Sequence, residues 1–126
     1  MKKAINSAKA PAPIGPYNQA ILAGNTLYLS GQIALEPETG ELRTENIRSE
    51  THQVLKNLGA VLDELNLGYD HLVKCSIFLS DMNLFSQVND IYATYFGELP
   101  PARETVAVKE LPKGVNVEIS GIAILD

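Results

Sequence analysis

The stretch PPARETVAVKELPKGVNVEISGIA, Pro100 to Ala123, decides the fold class, because two strand-like runs stand there directly after a helical pattern. In ARETVAVK, Ala102, Glu104, Val106 and Val108 alternate with Arg103, Thr105 and Ala107. In VNVEISGIAIL, Val117 and Ile119 alternate with Glu118, Ser120, Ile122 and Ile124. If the valine-rich faces meet a helical layer, Arg103 and Glu118 both project from the sheet face that no helix covers. A full positive and a full negative charge then stand on strands otherwise built for a core.

Upstream, NLFSQVNDIYATYFG places Leu84, Val88, Ile91 and Tyr95 on one helical stripe, with Gly97 at its end and Pro100-Pro101 forbidding its continuation. LVKCSIFL, Leu72 to Leu79, is a strand with Val73, Cys75, Ile77 and Leu79 on one face. NIRSETHQVLKNLGAVLDELNLG carries Ile47, Val54, Leu58, Val61 and Leu65 at helical spacing, widened by Leu55 and Leu62, with Gly68 as the left-handed terminator. Gln19 to Ala23 and Thr26 to Leu35 are two strands joined by Gly24-Asn25, a hairpin signal. In the second, Leu27, Leu29, Ile33 and Leu35 share one face, and Tyr28, Ser30 and Gln32 the other. APAPIGPY, Ala10 to Tyr17, is a stiff loop that delivers Tyr17, because three prolines each remove a backbone donor. The order β-β-α-β-α-β-β predicts an α+β domain over residues 1–126, with two helices on one face of a mixed sheet.

At 126 residues the chain can bury roughly two-thirds of its unfolded surface in one core. A net charge of -5 gives no footprint for a phosphate backbone, so nucleic acid and anionic membrane are disfavoured as partners. One cysteine, Cys75, excludes an intrachain disulfide and a cysteine-based zinc site. MKKAINSAKA has no apolar core of a secretory signal, and no apolar run approaches bilayer length, which reads as cytoplasmic. The uncovered face, with Tyr28, Ser30, Gln32 and Phe78, is too apolar to leave wet and too polar for a plain core. A second copy of the chain would cover it, so a homo-oligomer with partly polar clefts is expected.

In order along the chain stand GPY (Gly15 to Tyr17), SGQI (Ser30 to Ile33), PAR (Pro101 to Arg103), LP (Leu111-Pro112) and VEI (Val117 to Ile119). Each is weak alone; the ordered set, from about Pro11 to Leu125, resembles the RidA/YjgF family of reactive intermediate imine deaminases. The resemblance implies a chorismate mutase-like fold with a mixed six-stranded sheet, a homotrimer, and a site in each cleft between subunits. It implies hydrolysis of 2-imino acids, formed from 2-aminoacrylate and related enamines, to 2-keto acids and ammonia. Pyridoxal phosphate enzymes that dehydrate serine or threonine release such enamines.

The residue types suit that chemistry. A planar guanidinium holds a carboxylate with two charge-assisted hydrogen bonds, which makes Arg103 the expected clamp. Glu118 is the expected group that aims water at the imine carbon and takes its proton. The resemblance further implies a pocket bounded by Tyr17, Ser30, Gly31 and the backbone of Thr105, with Asn89 lining the cleft. No metal and no organic cofactor is required.

Each residue also has a plainer role. Arg103 and Glu118 could form a structural ion pair; Tyr17 could cap its loop; Gly31 could mark a bulge; Asn89 could face solvent. His52 and His71 lack a metal-like partner, and Cys75 sits on an apolar face as an inert thiol. One departure from the family pattern is that Glu104 and Thr105 stand where many members carry a small residue and then a cysteine. Alternation points Glu104 away from Arg103. Three functions follow: an imine deaminase, a non-catalytic sensor of small carboxylates, and a translation inhibitor with ribonuclease activity. The acidic balance argues against the last.

Overall fold

Gly24 and Asn25 turn the chain between β2 (Ala20–Ala23) and β3 (Thr26–Gln32), leaving Ala23 opposite Thr26. Gly24 takes φ +63, which a glycine adopts without a Cβ penalty. A computed structural model describes residues 1–126 and extends this hairpin into a six-stranded mixed sheet. The remaining elements are β1 (Lys2–Ile5), α1 (Ile47–Asp63), β4 (Leu72–Leu79), α2 (Phe85–Ala93), β5 (Ala102–Ala107) and β6 (Val117–Ile124). Sheet order is β1-β2-β3-β6-β4-β5. Only β4 and β5, joined through α2, are parallel; the other neighbours are antiparallel.

The five strands read from alternation are all present, and β1 is the addition. KKAI is too short and too charged to read as a strand alone. It pairs with the outer edge of β2, from Lys2 opposite Ala23 to Ile5 opposite Ala20. Lysines on an edge strand discourage further pairing.

Asn46 caps α1, its Oδ1 accepting from Ser49 N at 2.8 Å. The helix ends earlier than Gly68, and the left-handed terminator is Asn66 at φ +58. Leu67 N donates to Leu62 O at 3.1 Å and Asn66 N to Asp63 O at 2.9 Å, the paired bonds of a Schellman stop. Asparagine tolerates that conformation well enough for the role. Likewise α2 stops at Ala93, short of Gly97.

The two helices pack side by side on one face of the sheet. Val54, Leu55, Leu58, Val61, Leu62, Val88 and Ile91 meet Leu27, Leu29, Cys75, Ile77, Leu79, Val117 and Ile119 there, all buried. Two irregularities shift the alternation. A bulge between Leu29 and Gln32 turns Gln32 and Ala34 inward, so Ile33 and Leu35 leave the core face and β3 ends at Gln32. Another between Leu72 and Lys74 buries Leu72 and leaves Val73 exposed.

The largest correction concerns β5. Arg103 lies level with Cys75 and Thr105 level with Ile77, both partners fully inside the helix-covered core. Arg103 and Thr105 therefore face the helices, and Val106 is 44% exposed on the bare face. Glu118 lies opposite Phe78, between buried Val117 and Ile119, and faces away from the helices. Arg103 and Glu118 stand on opposite faces of one sheet and form no ion pair.

Candidate functional site

Glu118 is presented by β6 above the bulge of β3. The bulge removes Ser30 and Gly31 from the ladder, and Glu118 fills the space over Gly31. A Cβ at residue 31 would sit 2.9 Å from Glu118 Cδ and collide with the carboxylate, so the close approach requires glycine. Ser30 Oγ donates to Asn18 O at 2.7 Å, which points its hydroxyl at the preceding loop. The same loop delivers Tyr17, half exposed, by a turn in which Tyr17 N donates to Gly15 O at 2.9 Å. Tyr17, Ser30, Gly31 and Glu118 line a cavity of about 540 Å³, with Ile14 and Lys113 at its rim.

Glu118 makes no hydrogen bond and no ion pair with any other side chain. Burial alone pushes its carboxyl above the usual range. The group therefore holds free lone pairs against a partly dry wall.

On the other face, Arg103 is gripped from three sides. Its Nη1 donates to Asn89 Oδ1 at 2.7 Å. Its guanidinium carbon lies 5.0 Å from the Tyr92 ring centre and 5.6 Å from that of Phe85. All three partners come from α2, at positions 85, 89 and 92, the spacing of one helical face. Asn89, Tyr92, Phe96, Pro101 and Arg103 line a second cavity of about 440 Å³. Thr105 Oγ1 and Tyr92 Oη are buried with no hydrogen-bond partner. Tyr92 is pushed well above the usual phenol range, first by burial and then by the neighbouring Cys75. Cys75 is raised by burial as well, so it is an inert thiol and no nucleophile.

The predicted site residues thus fall into two groups. Tyr17, Ser30, Gly31 and Glu118 share one cavity; Asn89 and Arg103 share the other, with Thr105 on their face of the sheet. Asn89, half-buried, turns its side-chain oxygen to Arg103. Glu104 points away from Arg103 as alternation required, but onto the bare face. There it accepts from Ser76 and pairs with Lys74 Nζ at 2.9 Å, contacts that hold it below the ordinary carboxylate range, the Ser76 bond most of all. His52 Nδ1 lies 2.7 Å from Tyr95 Oη, part of the seam between the helices. A depression of about 950 Å³ between α1 and the 36–43 segment contains none of the predicted site residues.

Three supporting residues are not foreseen from the sequence. Phe85 and Tyr92 frame Arg103. Gln19, buried, accepts from Ser7 N at 2.6 Å and donates to Ser7 O, Ala10 O and Pro11 O, which staples the loop bearing Tyr17. Helical spacing on α2 could have found the first two. Nothing near Gln19 in sequence reveals its role.

No helix is long and apolar enough to cross a membrane. Comparison with known proteins bears on the whole chain. A family model described as Endoribonuclease L-PSP matches residues 7–125. A RutC family protein of Synechocystis is 52% identical over 125 residues, covering 98% of this chain and 96% of its own. The mouse 2-iminobutanoate/2-iminopropanoate deaminase is 44% identical over 124 residues, covering 98% and 92%. Among solved structures, the conserved Rid family protein YyfA of Yersinia pestis superposes with a TM-score of 0.96 at 50% identity, covering 99% of this chain and 100% of that one. Escherichia coli TdcF, solved with bound serine, superposes with a TM-score of 0.94 at 33% identity over 98% and 99%. With the glycine-seated carboxylate, the framed guanidinium and near-complete matches in sequence and fold, the chain belongs to the Endoribonuclease L-PSP family, that of the YjgF/RidA proteins.

Proposed function

We propose that the protein hydrolyses reactive 2-imino acids to 2-keto acids and ammonia, in clefts between three copies of the chain. The observation that carries the reading is the unpartnered Glu118 carboxylate seated on Gly31, matched by a pre-positioned guanidinium on the opposite sheet face. One small molecule cannot touch both groups of one copy, because a packed sheet lies between them. A second copy solves this by bringing its Arg103 cavity to the first copy's Glu118 cavity. The bare face supports such assembly: Tyr28 and Val106 are about half exposed there beside Phe78 and Ile122.

In this cleft Arg103 binds the substrate carboxylate through two parallel N–H donors. Glu118 accepts a proton from water as the water oxygen bonds to the imine carbon. The nitrogen takes up a proton, and the resulting carbinolamine loses ammonia as its C–N bond breaks and the carbonyl forms. Substrate and water together account for every atom of keto acid and ammonia. A carboxyl raised by burial serves better in this exchange, since its proton affinity lies nearer neutrality. The mammalian relatives named as 2-iminobutanoate/2-iminopropanoate deaminases support the reaction class. The serine bound in TdcF supports a second reading, a small-carboxylate sensor using Arg103 without Glu118 chemistry.

The test generates 2-aminoacrylate in situ from serine with a dehydratase and follows its decay. Faster decay with stoichiometric pyruvate and ammonia is the expected result. Identical decay with and without the protein would remove the enzyme and leave the sensor. Sedimentation should find a trimer; a stable monomer at micromolar concentration would abolish the shared cleft.

A further inference from the structure

Glu50 is fully buried in the first turn of α1, and no lysine, arginine or histidine pairs with it. Three donors converge on its carboxylate, all from the residues that lead into β6. Asn116 N donates to Oε2 at 2.7 Å, Val117 N to Oε2 at 3.2 Å, and Asn116 Nδ2 to Oε1 at 2.8 Å. Asn116 is tied on its other side as well: its carbonyl accepts from Ser80 N at 3.0 Å and its Oδ1 from Ser80 Oγ at 3.2 Å. A carboxylate taken from water without a counter-ion is costly unless its lone pairs are met. Here all three hydrogen bonds it accepts come from one dipeptide, whose Asn116 is 66 residues away in sequence.

That dipeptide ends one residue before Glu118. The seat of Glu118 leaves little tolerance, because its carboxylate already touches the backbone space of Gly31. A shift of Val117 carries the adjoining Glu118 with it and changes where the carboxylate lies over Gly31. We propose that Glu50 is a positioning residue for Glu118: through Asn116 and Val117 it fixes the strand that aims the carboxylate at the attacking water. The proposal rests on the deaminase reading above.

A double-mutant cycle tests it. Glu50→Gln keeps volume and one carbonyl acceptor but turns an NH₂ donor towards Asn116 Nδ2. It should lower kcat for imine hydrolysis about tenfold with KM within about twofold, since a misplacement of about 1 Å at a reacting group can cost roughly a hundredfold and a smaller one costs less. In a Glu118→Gln background the same substitution should lower kcat no further, because residues acting as one unit are not additive. Glu50→Leu, if it folds, should lose more than Glu50→Gln in the wild-type background. Val61→Ala, a cavity elsewhere on α1, controls for stability and should leave kcat unchanged. Equal loss in both backgrounds, or full kcat in Glu50→Gln, overturns the positioning role while leaving the deaminase intact. An inert wild type overturns both.

Discussion

The two cavities use the same sheet and hold their charged groups in opposite ways. Arg103 is clasped by Asn89, Phe85 and Tyr92, so its guanidinium is oriented before any ligand arrives. Glu118 is given a seat and no partner. A group that binds gains from being ordered in advance, because less rotamer entropy is lost on association. A group that must accept a proton gains from unoccupied lone pairs. The clasped cation therefore suits recognition and the free carboxylate suits chemistry.

The substitution that most sharply separates the two is Glu118→Gln. It preserves volume and removes the base, so imine hydrolysis should fall by about 10² to 10⁴. Keto-acid affinity measured by calorimetry should stay within about twofold of wild type, as Arg103 is untouched. Wild-type rates in the variant would break the assignment of chemistry to Glu118. Loss of both rate and binding would mean the two cavities are not functionally separate.

Arg103→Lys attacks the other side. An ammonium cannot reproduce two parallel donors, and it gives up the guanidinium's place over the Tyr92 and Phe85 rings. Hydrogen bonds to charged groups are worth about 1.5–3 kcal/mol, so 2-keto acids should bind roughly ten- to a hundredfold more weakly. Equal binding to wild type and Arg103→Lys would show that the clasp does not serve a carboxylate.

A smaller effect should appear in stability. Because burial raises Glu118 in the folded chain, folding favours its protonated form. That preference helps stability at low pH and is lost as pH rises through the folded value, leaving a desolvated charge at neutrality. Glu118→Gln mimics the protonated state. Its melting midpoint should exceed that of wild type at pH 8, and the gain should vanish below about pH 4, where glutamate is protonated in either state. The same substitution would then abolish rate and add stability. No gain at pH 8 would mean that water already solvates Glu118 fully.

Periodicity made both helices, the β2–β3 hairpin and the central strand β4 legible, since each spans several repeats of its pattern. It could not say which face of β5 lies inside. Val106 and Val108 look like core and Arg103 like surface, yet α2 supplies two rings and an amide that make the inner position tenable for the cation. Bulges at Leu29/Gln32 and Leu72/Lys74 shift alternation by one residue, and a single unaligned sequence does not mark them. KKAI becomes β1 only because β2 offers an edge. The family resemblance put Tyr17, Ser30, Gly31, Asn89, Arg103, Thr105 and Glu118 round one cleft, whereas within one copy of the chain they are distributed over two faces of the sheet. Glu50 reaches across 66 residues and Gln19 across 8 to 12, and no pattern at either position announces the contact.

The smallest expected effect concerns Tyr92. Its ring supports Arg103, while its hydroxyl is buried with no hydrogen-bond partner. A buried hydroxyl without a good partner costs about 1–3 kcal/mol of desolvation, and the Cys75 thiol beside it is only a weak one. Tyr92→Phe removes that group and keeps the ring, so the cation–π contact with Arg103 persists. Melting should shift upward by about 3–5 °C, the shift that roughly 1 kcal/mol produces in a domain of this size. Keto-acid affinity separates two roles for the hydroxyl. If the phenol is only a structural remnant, affinity stays at the wild-type value while stability rises. If affinity falls severalfold as stability rises, the hydroxyl is held unpaired in the free protein for the ligand, and the recognition side also leaves one group open. A fall in stability would show that the hydroxyl is satisfied in solution, most directly by the Cys75 thiol that neighbours it.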